Sequence, residues 1–226
     1  MINAPVLTAA TPKAFLANLR LLTKTTDRAP GCKKALSAVL REAEKAVEAV
    51  GGESGMLKNL GGQPATHILG ETFYTCVPIL YGPYFAKLSI APVSPELTAL
   101  TDAPLDLHGH PDPLRDAVNA FFAAQAGEWE VRVQLATDLA RMPIEDASVT
   151  WPEDESPYVP VARLRVPRQP AWTNARSSVI DDCMVFSPWH GLAAHRPLGG
   201  VMRSRRPAYE MSSTFRGEFN RCPMHG

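Results

Sequence analysis

The sequence predicts an α+β fold, with antiparallel strands in the middle of the chain and helices at both ends. Three observations predict it. Residues 36–50 carry apolar side chains at helical spacing, residues 129–135 alternate apolar and polar with a period of two, and 21 prolines divide the chain into short elements. A chain of 226 residues is long enough for one sizeable core, so a single domain over 1–226 is expected.

Thr11-Pro12 opens the first helix, because Thr can cap and Pro suits a first turn. Phe15, Leu19 and Leu22 then recur on one face. A second helix carries the stripe Leu36, Val39, Leu40, Ala43, Ala46, Val47 and Val50, and Gly51-Gly52 stops it. Glu71 to Val77 and Tyr84 to Ile90 are aromatic and β-branched runs, expected to form two antiparallel strands joined by the connection Pro-Ile-Leu-Tyr-Gly-Pro. Residues 95–111 are expected to be mostly loop. Asp112-Pro113 starts a third helix through Phe121 and Phe122, ended by Gly127. Trp129, Val131, Val133 and Leu135 alternate with Glu130, Arg132 and Gln134, which predicts a half-buried strand with one wet face. Ala162, Leu164 and Val166 repeat that pattern. Ala171 to Asp182 reads as a short helix, FSPWHGLAAHRPLGG as irregular, and Arg203 to Asn220 as a final helix.

Composition excludes several classes. Lys and Arg total 23 and Asp and Glu total 23, a balance that offers no electrostatic footprint for nucleic acid or an anionic membrane. No apolar run is long enough to span a bilayer, and no basic start leads into a long apolar stretch. A cytoplasmic location is the expectation. Cys32, Cys76, Cys183 and Cys222 form no CxxC pair, so neither a zinc ribbon nor a dithiol redox motif is written here. There is no GxSxG elbow, GxGxxG fingerprint or P-loop.

The chemistry concentrates in RRPAYEMSSTFR. A helix turns about 100° per residue, so Arg205, Tyr209 and Arg216 fall within roughly 40° of one another around the axis. Pro207 must then sit in a first turn or at a kink. A tyrosine ligates ferric haem as phenolate, although its ordinary pKa is about 10. A neighbouring arginine favours the anion, and a second arginine can hold a carboxylate bidentately. Taken alone the Arg-x-x-x-Tyr spacing is common and does not point to haem.

The surrounding sequence adds to that spacing. TWPEDESPYVPVARLRVPRQP resembles the catalase segment in which a Trp-Pro pair leads through Pro-Val into a barrel strand and an exit proline; the match rests on Trp151, Pro152, Pro160, Val161, Leu164 and Pro170. GEWEVRVQLAT resembles the preceding barrel strand. VFSPWHGLAAHRPLGGVMRSRRPAY looks like the Phe-x-Pro segment that leads into the family's Arg-x-x-x-Tyr haem helix, and NAPVLTAATPKAF like its Asn-x-Pro segment. In this shared order the chain resembles the catalase family over nearly its whole length, and within it a bacterial branch of small catalase-related haem proteins. The resemblance implies a catalase-like fold with an antiparallel β-barrel core and flanking helices, a b-type haem, and peroxide or an organic hydroperoxide as partner. It implies Tyr209 as the axial ligand to the haem iron, Arg205 as the arginine supporting its phenolate, and Arg216 as a propionate-binding arginine. Phe15 matches an aromatic residue set against the haem and reads equally as a core residue of its helix. Homo-oligomerisation stays open.

The sequence also departs from the family. Catalases use a distal histidine for acid–base work on peroxide, together with an asparagine. The histidine belongs to a segment ahead of the Asn-x-Pro region, and no histidine here precedes His67. The asparagine position aligns with Ile2, since Asn3 matches the residue after it. No complete catalytic set is therefore expected, and the fold is expected to be incomplete at its N-terminus, through a truncated gene, a start called too late at Met1, or a natural short form. Catalase turnover is expected to be weak or absent. Two alternatives accompany this expectation: a non-catalytic remnant that does or does not bind haem, and a fatty-acid hydroperoxide enzyme whose pocket Ile2 makes apolar.

Other candidates are weaker. His108 and His110 form a His-x-His without a completing ligand and read as a surface loop. His190 and His195 flank GLAA and could meet only imperfectly. Asp181 and Asp182 point apart on a helix. Arg203, Arg205 and Arg206 form a basic cluster suited to an anion.

Overall fold

The computed structural model describes residues 1–26, 65–107 and 111–220. The helix expected over 36–50, His108, His110, Cys32 and Cys222 lie outside them. The first helix, α1 (Pro12–Thr26), starts where expected, with the Ala14 amide donating to Thr11 Oγ1 at 3.3 Å. Phe15 and Leu19 are each 42% exposed, so the apolar face of α1 is not packed into a core among the described residues.

An antiparallel sheet forms the centre. Strand β1 (Phe73–Tyr74) is shorter than expected, because Cys76 adopts φ 25° and turns the chain out of the strand. The expected connection then proves to be a strand itself. Strand β2 (Ile79–Tyr81) pairs with β3 (Tyr84–Pro92), Ile79 opposite Ala86 and Tyr81 opposite Tyr84. The turn is Gly82-Pro83; Gly82 supplies the positive φ of 61° that a two-residue hairpin of matching twist requires. The loop-rich stretch contains one short helix, α2 (Pro95–Thr98), which buries Leu97 completely. Helix α3 (Pro113–Ala124) starts after Asp112 as expected and buries Phe121 and Phe122. Strand β4 (Gly127–Leu135) pairs with β3, Ala86 opposite Leu135 and Pro92 opposite Trp129. Strand β5 (Val159–Val166) pairs with the other side of β4.

The strand order is β1-β3-β4-β5, with β2 also on β3. The antiparallel sheet with helices around it is as expected; among the described residues the sheet is open and does not close into a barrel. Both short strands share one edge of β3, and among the described residues β5 pairs with β4 alone. Edge character explains the sequence of β5: Pro160 lacks an N–H, and a register shift opposite Val131/Arg132 interrupts the ladder, both tolerated where a strand is bordered on one side.

The two faces also differ from the alternation pattern. At one end of the polar face, Glu128 and Glu130 meet Arg165 and Arg163 directly across the ladder, with contacts of 2.9 Å and 3.3 Å. At the other end that face is not wet. Trp151, 1% exposed, folds over it from the Pro-rich loop. Gln134 donates to the carbonyls of Trp151 and Ser156 at 3.2 and 2.9 Å. Lys87, 2% exposed, donates to Val149 O at 3.1 Å and lies 4.9 Å from the centre of the Trp151 ring. Burial lowers its amine to a pKa of about 8.

Beyond β5, a short helix α4 (Asn174–Ser177), capped by Thr173, runs into a π-helical turn over Ser178–Cys183. The stretch expected to be irregular docks on the sheet: Leu80 N donates to Arg196 O at 2.9 Å and Gly82 N to Ala194 O at 3.1 Å. Helix α5 (Gly199–Asn220) begins earlier than expected. Gly199 has φ 84°, and a Cβ there would stand 2.8 Å from Ile144 O, so glycine is required at this entry. Glu145 fastens the first turn: it accepts from Gly200 N at 2.8 Å and pairs with both terminal nitrogens of Arg203 at 3.0 and 2.9 Å. Pro207 therefore lies inside the helix rather than in its first turn, where it leaves the Arg203 carbonyl without its usual helical donor.

Candidate functional site

Tyr209 sits near the middle of α5, half-buried. Arg205, one turn earlier, donates through Nη2 to Tyr209 Oη at 2.6 Å. The same guanidinium lies 5.2 Å from the centre of the phenol ring and reaches Met202 Sδ at 3.6 Å. Trp189 meets the ring edge-on, with centroids 6.0 Å apart at 72°. Trp189 also packs with Leu7 and Val201 on the buried cluster of Val77, Ala147 and Met202. The phenol is thus held at its oxygen by a permanent cation and at its ring by an indole anchored in the core.

A cleft of about 410 Å³ opens beside it. Arg206, Tyr209, Glu210 and Ser213 contribute one wall, at the i, i+3, i+4, i+7 positions of a single helical face. The other wall comes from residues 185–190 and includes Phe186, Trp189 and His190. Phe186 is 81% exposed, more than any other aromatic residue described. Sequence reasoning assigned neither Phe186 nor Trp189 a role at the site, although Phe186 opens the Phe-x-Pro segment. The available signals were the aromatic density of FSPWH and the helical spacing of residues 206–213 from Tyr209.

The remaining expected residues lie elsewhere. Arg216 does not join Arg205 and Tyr209. It donates to Asp181 O at 3.1 Å and Met184 O at 3.3 Å, and Asn220 adds a bond to Asp182 O at 3.3 Å. These bonds tie the end of α5 to the π-helical turn, while Arg216 Nε is buried without a partner. Phe15 does not line the cleft. Ile2 is held in an antiparallel bridge with Tyr74, its amide donating at 3.1 Å and its carbonyl accepting at 2.7 Å, with its side chain 41% exposed. His190 lines the cleft, but His195 stacks flat on Tyr81 at 5.4 Å, so the two histidines serve different places. Asp181 accepts from Ser177 Oγ at 2.6 Å on the surface. Arg203 is committed to Glu145. Cys76 is buried and donates to Ala4 O at 3.2 Å, and burial raises its pKa.

Among the described residues no three His, Cys, Asp or Glu side chains gather as a metal cluster, and no helix is long and apolar enough to cross a membrane. A second hollow, of about 460 Å³, lies by Ser94, Glu96, Glu128 and Arg163; it contains no neighbour of Tyr209, and its Glu128 and Arg163 already face each other at 3.6 Å.

Comparison with solved structures decides the fold. Catalase A from Saccharomyces cerevisiae superposes with a TM-score of 0.62 over 99% of this chain, at 16% identity. The fold is catalase-like. A bacterial catalase matches at a TM-score of 0.60 over 99% of the chain with 16% identity, and a fungal catalase at 0.54 over 72% with 15% identity. The chain spans less than half of each: 47%, 45% and 34% of the catalase chains in the same order. No family model matches the sequence, and no curated protein does. The catalase-like resemblance is therefore carried by the course of the backbone.

Proposed function

We propose that this chain seats haem through Tyr209 and belongs with the small bacterial catalase-related haem proteins. One observation carries the reading: the 2.6 Å hydrogen bond from Arg205 to the oxygen of a tyrosine that lines an aromatic-walled cleft. A phenol binds ferric iron only as its anion, and the Arg205 guanidinium would hold the ligating oxygen in place by its hydrogen bond. On one wall Val185, Phe186 and Trp189 would meet a porphyrin ring, while Glu210, Ser213 and Thr214 make the helix wall polar. Phe186 offers an open ring to an apolar macrocycle, and Trp189 keeps Tyr209 from swinging away. A haem bound there would supply the electron-transfer chemistry with peroxide.

The chain's own residues limit the chemistry on peroxide. Breaking a peroxide O–O bond heterolytically needs a group that moves a proton on the side opposite the ligand. At the position that the resemblance assigns to a distal amide, Ile2 brings an aliphatic side chain and commits its backbone to Tyr74. The proposed function is haem binding with weak or no catalase turnover, and with hydrogen peroxide or an organic hydroperoxide as the reactive partner.

Titration of the full chain with ferric haem is the test. A Soret band that saturates at one equivalent in the unmodified protein and is lost in Tyr209→Phe is the expected outcome. No uptake of haem overturns the reading. Oxygen evolution from hydrogen peroxide at rates typical of catalases overturns the limit on turnover alone.

A further inference from the structure

We infer that Met202 is a peroxide-sensitive site beside Tyr209, and that its oxidation to the sulfoxide draws Arg205 off the phenol oxygen; the inference rests on the haem reading above. Met202, Arg205 and Tyr209 stand at i, i+3 and i+7 on one face of α5. Arg205 divides its terminal nitrogens between the other two. Nη2 donates to Tyr209 Oη at 2.6 Å, and Nη1 reaches Met202 Sδ at 3.6 Å. Met202 also belongs to the buried cluster on which Trp189 packs, and Trp189 meets the Tyr209 ring edge-on. Both groups that hold the phenol therefore rest against this one methionine.

A thioether is a weak acceptor, so the sulfur competes little for the guanidinium and Tyr209 keeps the stronger bond. Hydrogen peroxide or an organic hydroperoxide changes that balance. A sulfur lone pair attacks the terminal peroxide oxygen, and the S–O bond forms as the O–O bond breaks. The proton of the transferred hydroxyl leaves with the other oxygen as water or an alcohol. The sulfur is oxidised by two electrons and the peroxide is reduced by two. The new oxygen is a polar acceptor set at the edge of an apolar cluster, and Arg205 Nη1 is the donor beside it. Met202 is 5% exposed, but the guanidinium beside its sulfur belongs to an exposed side chain, so peroxide reaches the sulfur when Arg205 swings outward. Met184 and Met211 are 55% and 71% exposed and should oxidise earlier, which makes them internal controls.

The full chain, free of haem, is treated with graded hydrogen peroxide, desalted, mapped by peptide mass and titrated with ferric haem. Haem affinity should fall by about fivefold to tenfold, the size of one charge-assisted hydrogen bond. The fall should follow the gain of one oxygen at Met202 and not the gains at Met184 and Met211. Met202→Leu, which conserves volume, should keep its own untreated affinity through the same treatment. Arg205→Gln should begin weaker and lose nothing further. The inference is overturned if Met202 stays unoxidised once Met184 and Met211 have reacted, or if affinity does not follow its oxidation. An equal loss in Met202→Leu, or an equal further loss in Arg205→Gln, also overturns it. In each of these cases uptake by the untreated protein leaves Tyr209 ligation standing, whereas no uptake by the untreated, unmodified chain overturns both.

Discussion

The polar groups of the sheet and those of α5 are placed in opposite ways. Lys87, Gln134 and Ser156 are buried, and each finds a backbone carbonyl: Val149 for the amine, Trp151 and Ser156 for the amide, Leu135 for the hydroxyl. Trp151 seals them. On α5, by contrast, Arg206, Glu210, Ser213 and Tyr209 line an open cleft, and an exposed Phe186 faces them. Buried polar groups whose bonds are made inside the protein specify a packing arrangement, whereas groups that line an open cleft remain able to bind something else. The sheet is therefore the part that holds the fold, and the α5 face is the part with chemistry to offer.

Substitutions should separate the two regions, beginning with the largest effect. Trp151→Ala should cost about 3–5 kcal/mol of stability, because it opens a cavity and exposes Lys87 and Gln134 together. Denaturant unfolding would show it, and a loss below about 1 kcal/mol would mean that Trp151 does not seal the sheet.

The next effect depends on pH. Burial lowers the Lys87 amine from its ordinary 10.5 to about 8, so the unfolded chain binds more protons than the folded one between those values. The Lys87 contribution to stability should rise as pH increases from about 8 toward 10, and the nearby Cys76 thiol, whose pKa burial raises, opposes it above its ordinary value. Above that the buried Tyr74 and Tyr158, whose pKa values burial raises, reverse the trend, since the unfolded chain then releases their protons more readily. Lys87→Met should flatten the rise between pH 8 and 10, and an unchanged slope would show that Lys87 is not the group responsible.

On the helix side the effects are smaller. Arg216→Gln should cost about 1–2 kcal/mol by releasing the two carbonyls of the π-helical turn, with no shift in the Soret position of the haem-loaded protein. A shifted Soret band would return Arg216 to the ligand site. Glu145→Gln should cost less than about 1 kcal/mol, as its pair with Arg203 is exposed. Arg203 holds the Glu145 carboxyl below its usual range, so this contribution is present above the ordinary carboxylate pKa and is lost as pH falls through the lowered one. The unmodified protein and Glu145→Gln should therefore converge in thermal stability in acid, and a gap that persists there would contradict that origin.

Much of this arrangement is legible in the sequence where local chemistry is strong. Asp112-Pro113 marks the start of α3, the alternation from Trp129 to Leu135 gives β4, and the four-residue spacing of Arg205 and Tyr209 places their side chains in contact. Elsewhere, contacts distant in sequence take over. Ile79–Tyr81 reads as a connection between prolines, yet becomes a strand because the tight turn at Gly82 folds it onto β3. Gln134 belongs to an alternating wet face until Trp151, seventeen residues away, covers it. Periodicity puts Arg216 beside Tyr209 around the helix axis, but a long side chain follows its acceptors, here the carbonyls of Asp181 and Met184. Pro207 reads as a first-turn residue or a kink, because nothing local announces that Glu145 and Gly199 begin the helix two turns earlier.

The central claim is that Tyr209, held by Arg205, is an axial ligand. Resonance Raman spectroscopy of the ferric haem-loaded full chain addresses it most directly, since iron–tyrosinate vibrations arise only when a phenolate oxygen is bound to the iron. The unmodified protein should display these bands, Tyr209→Phe should lack them, and Arg205→Gln should retain them with weaker haem affinity. A haem-loaded protein without tyrosinate bands, or with bands that survive Tyr209→Phe, would contradict Tyr209 ligation.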